Sequence, residues 1–120
     1  MARNNQVGLW GERCAAEYLR RKGWAFVAHS YRSRFGEIDL IVQNETYLAF
    51  VEVKLRKNAN FARAMEFVDH KKQEKLRITA EYYLAEHPTP LQPRFDVIEI
   101  YAPRGAETIS PEIHHWEDAF

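Results

Sequence analysis

The amino-acid sequence predicts one α/β domain, a mixed β-sheet flanked by α-helices. Three observations lead there: a helical apolar period at the start, three strand-like runs after it, and a second helical period that gives way to another strand. With 120 residues, 46% of them apolar, the chain suits a single domain over residues 1–120 whose core needs no staples.

From residue 6 to about residue 22, Val7, Trp10, Cys14, Tyr18 and Leu19 recur at three- and four-residue steps, the period of an amphipathic helix, and Gly23 stops it. Residues 24–28 are rich in aromatic and β-branched side chains and read as a short strand, with 31–34 as a loop or its extension. Residues 37–43 and 46–54 flank Asn44 and Glu45 and read as a β-hairpin. Asn58, Ala59 and Asn60 break the pattern. Met65, Val68, Leu76, Ala80, Tyr83 and Leu84 then restore a helical period over about 62–86, its first part alternatively a loop. Pro88, Pro90 and Pro93 end it, 94–101 alternates as a strand, and Thr108, Ile109 and Ile113 suggest one more short strand.

Cys14 is the single cysteine, so no intramolecular disulfide forms. The first residues are polar and no run of about 18 apolar residues occurs, which predicts a cytoplasmic protein with no membrane span. Seventeen basic and seventeen acidic residues cancel, arguing against binding nucleic acid by bulk charge alone. Their order is uneven, because basic segments at 1–34 and 54–77 flank a hairpin carrying Glu37, Asp39, Glu45 and Glu52. Carboxylates that hold a metal beside cations that hold a polyanion would have this order, and so would ordinary solvated helix faces.

The hairpin carries the chemistry. Leu48, Phe50, Glu52 and Lys54 share one strand face, apolar at its start and ending in an acid and a lysine, as a strand does when it emerges from a core at a cleft. With Asn44-Glu45 as a two-residue turn, Asp39 lies opposite Phe50 and diagonal to Glu52, roughly 7 to 8 Å apart. Crowded carboxylates favour a bound cation, and oxygen ligands suit Mg2+ or Mn2+ better than zinc. Lys54 would orient or deprotonate a water and stabilise charge on a phosphate, or else serve as a salt-bridge partner of Glu52 or Glu37. His114 and His115, adjacent on a strand, would diverge and read as a surface feature.

Several ordered motifs extend beyond the hairpin: Gly11-Glu12 with Ala15, Tyr18 and Leu19; Gly36-Glu37-Ile38-Asp39-Leu40-Ile41; Phe50-Val51-Glu52-Val53-Lys54; Lys72-Gln73 with Leu76; and Arg94-Phe95-Asp96-Val97. Over roughly residues 6–101 they resemble the bacterial YraN family, itself similar to PD-(D/E)xK nucleases and Holliday-junction resolvases. The resemblance implies a restriction-endonuclease-like fold and a metal-dependent endonuclease acting on DNA, branched or structured DNA included, with a homodimer by analogy. It makes Asp39 the motif aspartate and Glu52 and Lys54 the E-x-K pair, with the Val53 carbonyl helping to hold metal. It makes Glu12 and Gln73 accessory site residues. Glu12 on its own reads equally as a favourable charge early in a helix. Where the family has Phe-Gly and Thr-Arg, this chain has Phe61-Ala62 and Leu55-Arg56, which alters loop and substrate contacts.

Arg56, Lys57, Lys71, Lys72 and Lys75 are candidate phosphate contacts. Trp10, Trp24, Tyr82 and Tyr83 could stack on bases, though aromatic residues at such periods mostly fill cores. Asp96, in an apolar strand, needs a buried partner. Two other functions fit the same residues: a nucleic-acid-binding module without useful catalysis, and a protein-interaction subunit of a DNA-processing assembly presenting its acidic C-terminal segment.

Overall fold

The computed structural model describes residues 6–57 and 68–120. The break at Asn58–Asn60, the Phe61-Ala62 departure and the start of the second helix, Met65 included, lie outside them. Helix α1 (Gln6–Arg21) is followed by strands β1 (Ala25–Ser33), β2 (Gly36–Gln43) and β3 (Tyr47–Arg56). Helix α2 (His70–Glu86), strand β4 (Gln92–Tyr101), a 3-10 turn (Gly105–Glu107) and strand β5 (Glu112–Trp116) complete the order. The five strands form one sheet in sequence order, antiparallel except that β3 and β4 run parallel. A parallel pair needs a crossover, and α2 lies within it. This mixed sheet with a helix on each face is the α/β architecture that the sequence predicts, and it is consistent with the restriction-endonuclease-like fold that the resemblance implies.

The two helices bury different faces. Leu76, Ala80 and Tyr83 of α2 pack with Ile38, Ile41, Leu48, Phe50 and Val97, whereas Ala15 and Leu19 of α1 pack with Leu40, Val42, Ala49, Val51, Ile98 and Ile100. Strands covered on both faces read as nearly continuous apolar runs, as Ile38–Val42 and Leu48–Val51 do. Helix α1 ends where Gly23 turns to φ 98° and the Trp24 N–H donates back to the Leu19 carbonyl. Gly11 lets α1 approach β3, since a Cβ there would stand 3.0 Å from Leu55 Cδ2.

The hairpin register differs from the sequence expectation by two residues. Gln43 pairs with Leu48, not Thr46, and Ile41 pairs with Phe50. The cause is Asn44, whose Oδ1 accepts the N–H groups of both Thr46 and Tyr47 at 2.9 and 2.7 Å while its own N–H donates to the Tyr47 carbonyl at 3.0 Å, which moves the turn one residue on, to Glu45-Thr46. A shift of two keeps every side chain on its face. Continued one step beyond Leu40 and Val51, the register sets Asp39 opposite Glu52.

The C-terminal segment brings a second correction. Thr108 and Ile109 are not in a strand; they follow the 3-10 turn, and Ile109 is exposed. His114 and His115 diverge as expected, but His115 is not a surface residue: its side chain is 1% exposed and its Nε2 lies 2.7 Å from Asp96 Oδ2. Asp96 also takes a two-pronged contact from Arg94, both at 2.9 Å, and the Asp118 N–H at 3.0 Å. Burial works to raise its carboxyl pKa, but the His115, Arg94 and Asp118 contacts together hold it below the usual aspartate value.

Candidate active site

Strands β2 and β3 are paired only as far as Leu40 opposite Val51, while β3 continues beside β4 to Arg56. The start of β2 and the end of β3 therefore border a notch. Asp39 spans it, its Oδ2 accepting the Val53 N–H at 2.8 Å where a ladder bond would otherwise fall. On the other side of β2 the ladder skips Ser30, which adopts φ 52°. Ile38 packs on the α2 side and Leu40 on the α1 side, so the irregularity lies at Asp39.

Burial drives the Asp39 carboxyl up to about 7; the negative charge of Glu52 adds to the rise, the Val53 N–H opposes it, and Glu12 and Glu37 raise it further. Glu12, reaching in from α1, is itself raised by burial and by Glu37, with His29 pulling the other way. Four acids thus act on one another around the notch. Arg32 offsets part of this by lying 3.5 Å from Glu37.

Glu52 is buried and meets two lysines. Its Oε2 lies 2.5 Å from Lys72 Nζ and 3.6 Å from Lys54 Nζ. Burial and the neighbouring Lys72 charge lower the Lys54 pKa, with Glu52 opposing them. Burial also works against charge on Lys72, but its hydrogen bond and attraction to Glu52 prevail, so its pKa is raised. Lys72 is aimed by the start of α2, where Asp69 caps the helix by accepting the Lys72 N–H at 2.9 Å. Charge spacing along the chain assigned Lys72 to phosphate; the fold also sets it on Glu52.

The other sequence candidates divide. Gln73 stands next to Lys72, but its amide donates to the Val68 carbonyl at 2.8 Å rather than to an acid of the notch. Lys71, Lys72 and Lys75 line a cavity of about 430 Å³ with Phe35, Gly36, Glu37, Asp69 and Leu76. The first turn of α2 carries Lys71 and Lys72 and no acid, and the Asp69 cap supplies negative charge at the end where the helix dipole disfavours cations. Lys57 is exposed just past β3. Arg56 instead turns to the fully buried Glu99, 3.5 Å away, which also accepts from Trp116 Nε1 and the Tyr101 hydroxyl. Glu99 was missed in the sequence, although it shares a strand face with Val97 and Tyr101 and lies between Ile98 and Ile100.

Among the described residues, no group of three or more His, Cys, Asp and Glu side chains is arranged to hold a metal. The donor chemistry available is two facing carboxylates, and Mg2+ is commonly held by one or two carboxylates with water and substrate phosphate completing the shell. Asp39 and Glu52 fit that pattern.

A family model described as "Uncharacterised protein family UPF0102" matches residues 11–100. The chain belongs to this family. A UPF0102 protein of Caldanaerobacter subterraneus subsp. tengcongensis is 39% identical over 95% of the chain and 93% of its own length. One from Rhodococcus opacus is 38% identical over the full length of both, and one from Vibrio parahaemolyticus is 44% identical over 80% of the chain and 81% of its own length. UPF0102 membership bears out the family resemblance carried by the motifs. The names state a family and no reaction. No helix among the described residues of this UPF0102 chain is long and apolar enough to cross a membrane.

Proposed function

We propose that this UPF0102 protein is a divalent-metal-dependent endonuclease that hydrolyses phosphodiester bonds in DNA, branched or structured DNA included. The observation that carries this reading is the corner itself, where a half-buried Asp39 pushed up to about 7 lies across from Glu52, which Lys54 and Lys72 flank. Asp39, Glu52 and the Val53 carbonyl would hold Mg2+ or Mn2+. An extended residue projects its N–H and C=O to the same edge, and the Val53 N–H already points at Asp39. Bound there, the ion supplies a Lewis acid and lowers the pKa of a water.

The chain's own residues then have distinct tasks. Lys54, its pKa lowered, orients the attacking water and accepts or returns its proton. With Glu52 holding the ion, Lys72 would be free to contact the substrate phosphate, and Lys71 and Lys75 would hold the backbone on either side. Glu12 tunes the charge of the notch, and Gln73 fixes the turn that carries Lys72. Cytoplasmic location and a homodimer belong to the same reading.

One observation favours a second reading. Lys72 already neutralises Glu52, as it would in a module that binds nucleic acid and has given up the metal. Cleavage of linear, flap and four-way-junction DNA with Mg2+ or Mn2+, abolished in Asp39→Ala and Glu52→Ala, supports the endonuclease. Metal-independent, salt-sensitive binding without any cutting would replace it with the binding module.

A further inference from the structure

We propose that Phe35 and Tyr82 form a stacking platform for an unpaired nucleotide, so that the protein selects DNA with a single-stranded base beside the cut rather than continuous duplex. This rests on the DNA substrate proposed above. Phe35 occupies the tip between β1 and β2, where Ser33 pairs with Gly36. It is 37% exposed, and it stacks on Tyr82 of α2, itself 47% exposed, with ring centroids 6.1 Å apart and planes 17° from parallel. Arg34 lies 5.3 Å from the Phe35 ring centroid. Two large rings left in solvent under an arginine do not serve the core, which Tyr83, one residue on, fills instead.

Hydrogen bonds tie the platform to α2. The Phe35 N–H donates to Ser33 Oγ at 3.0 Å, the Ser33 and Thr79 hydroxyls lie 2.7 Å apart, and the Thr79 hydroxyl donates to the Lys75 carbonyl at 2.9 Å. Thr79 is fully buried, so this chain of bonds ties the hairpin tip to α2. One cavity of about 430 Å³ is lined by Phe35 together with Lys71, Lys72 and Lys75 and the acids Glu37 and Asp69, and the Lys72 ammonium touches Glu52. A strand lying along those lysines would bring its phosphate to the notch and a base to the rings. Aromatic faces read any base that is free of the duplex stack, and a paired base does not offer its face.

The test uses the full chain with Ca2+ in place of Mg2+ and a flap oligonucleotide carrying 2-aminopurine at the first unpaired position. Wild type is expected to quench the fluorophore. Phe35→Leu and Tyr82→Leu, which keep apolar bulk without an aromatic ring, should relieve the quench and weaken flap binding about tenfold while blunt-duplex binding stays within about twofold. Unchanged quenching and flap affinity in both variants, or equal losses on flap and duplex, would overturn the platform. Cutting by wild type in Mg2+ that still needs Asp39 and Glu52 would then leave the endonuclease standing. Wild type that binds neither DNA overturns both.

Discussion

The acids Asp96 and Asp39 sit on the same sheet, and the protein completes only the first of them with donors. At Asp96, Arg94, His115 and the Asp118 N–H supply donors to both oxygens, and the carboxyl titrates below its ordinary range. At Asp39 the protein offers a single backbone N–H and surrounds it with Glu52, Glu12 and Glu37, and the carboxyl rises to about 7. Burial alone does not separate these outcomes, since it works to raise both. The difference is the count of positive partners. A structural acid is finished by the fold, whereas Asp39 is left among other carboxylates, and this is the corner that the proposed metal would occupy.

The largest effect expected from this contrast is on stability. Asp96→Ala leaves Arg94 and His115 in a buried site without their acid, and should cost about 3–5 kcal/mol in urea unfolding. A loss under about 1 kcal/mol would make the Asp96 cluster as dispensable as a surface pair. A divalent ion should act on the other corner. Mn2+ at a hundred times its Kd should stabilise wild type by about 2.7 kcal/mol in thermal melts, and Asp39→Asn or Glu52→Gln should lose most of that gain.

The pH dependence separates the corners by sign. With its folded pKa raised, Asp39 favours folding most below its unfolded value, and that contribution is lost as pH rises through about 7. Asp39→Asn, which keeps an acceptor for Val53, should therefore gain on the order of 2 kcal/mol over wild type at pH 8 without metal, and little at pH 4. Asp96 behaves oppositely, its contribution present above the unfolded value and lost as pH falls through the lowered one. The smallest effect belongs to the strut beneath Phe35. Thr79→Val should cost about 1 kcal/mol in unfolding while leaving metal-induced stabilisation intact.

Local pattern was enough for the parts of this site that lie on one hairpin. Period-two alternation set Glu52 and Lys54 on the face of Phe50, and the apolar runs marked strands covered on both sides. The pairing of Asp39 differs by two residues because a side chain decides it: Asn44 binds the N–H groups of Thr46 and Tyr47 and moves the turn one residue on. Contacts between elements left no periodic trace. Lys72 reaches Glu52 from a helix twenty positions on, and its cationic helix start was the available signal. His115 looked like a surface residue because its partner, Asp96, lies on a neighbouring strand.

Anomalous diffraction from a crystal soaked in Mn2+ at pH 8 tests the incomplete corner most directly. One peak between the carboxylates of Asp39 and Glu52, with Lys72 displaced from Glu52, is the expected result. Lys72 still on Glu52 and no manganese at Asp39 would contradict it.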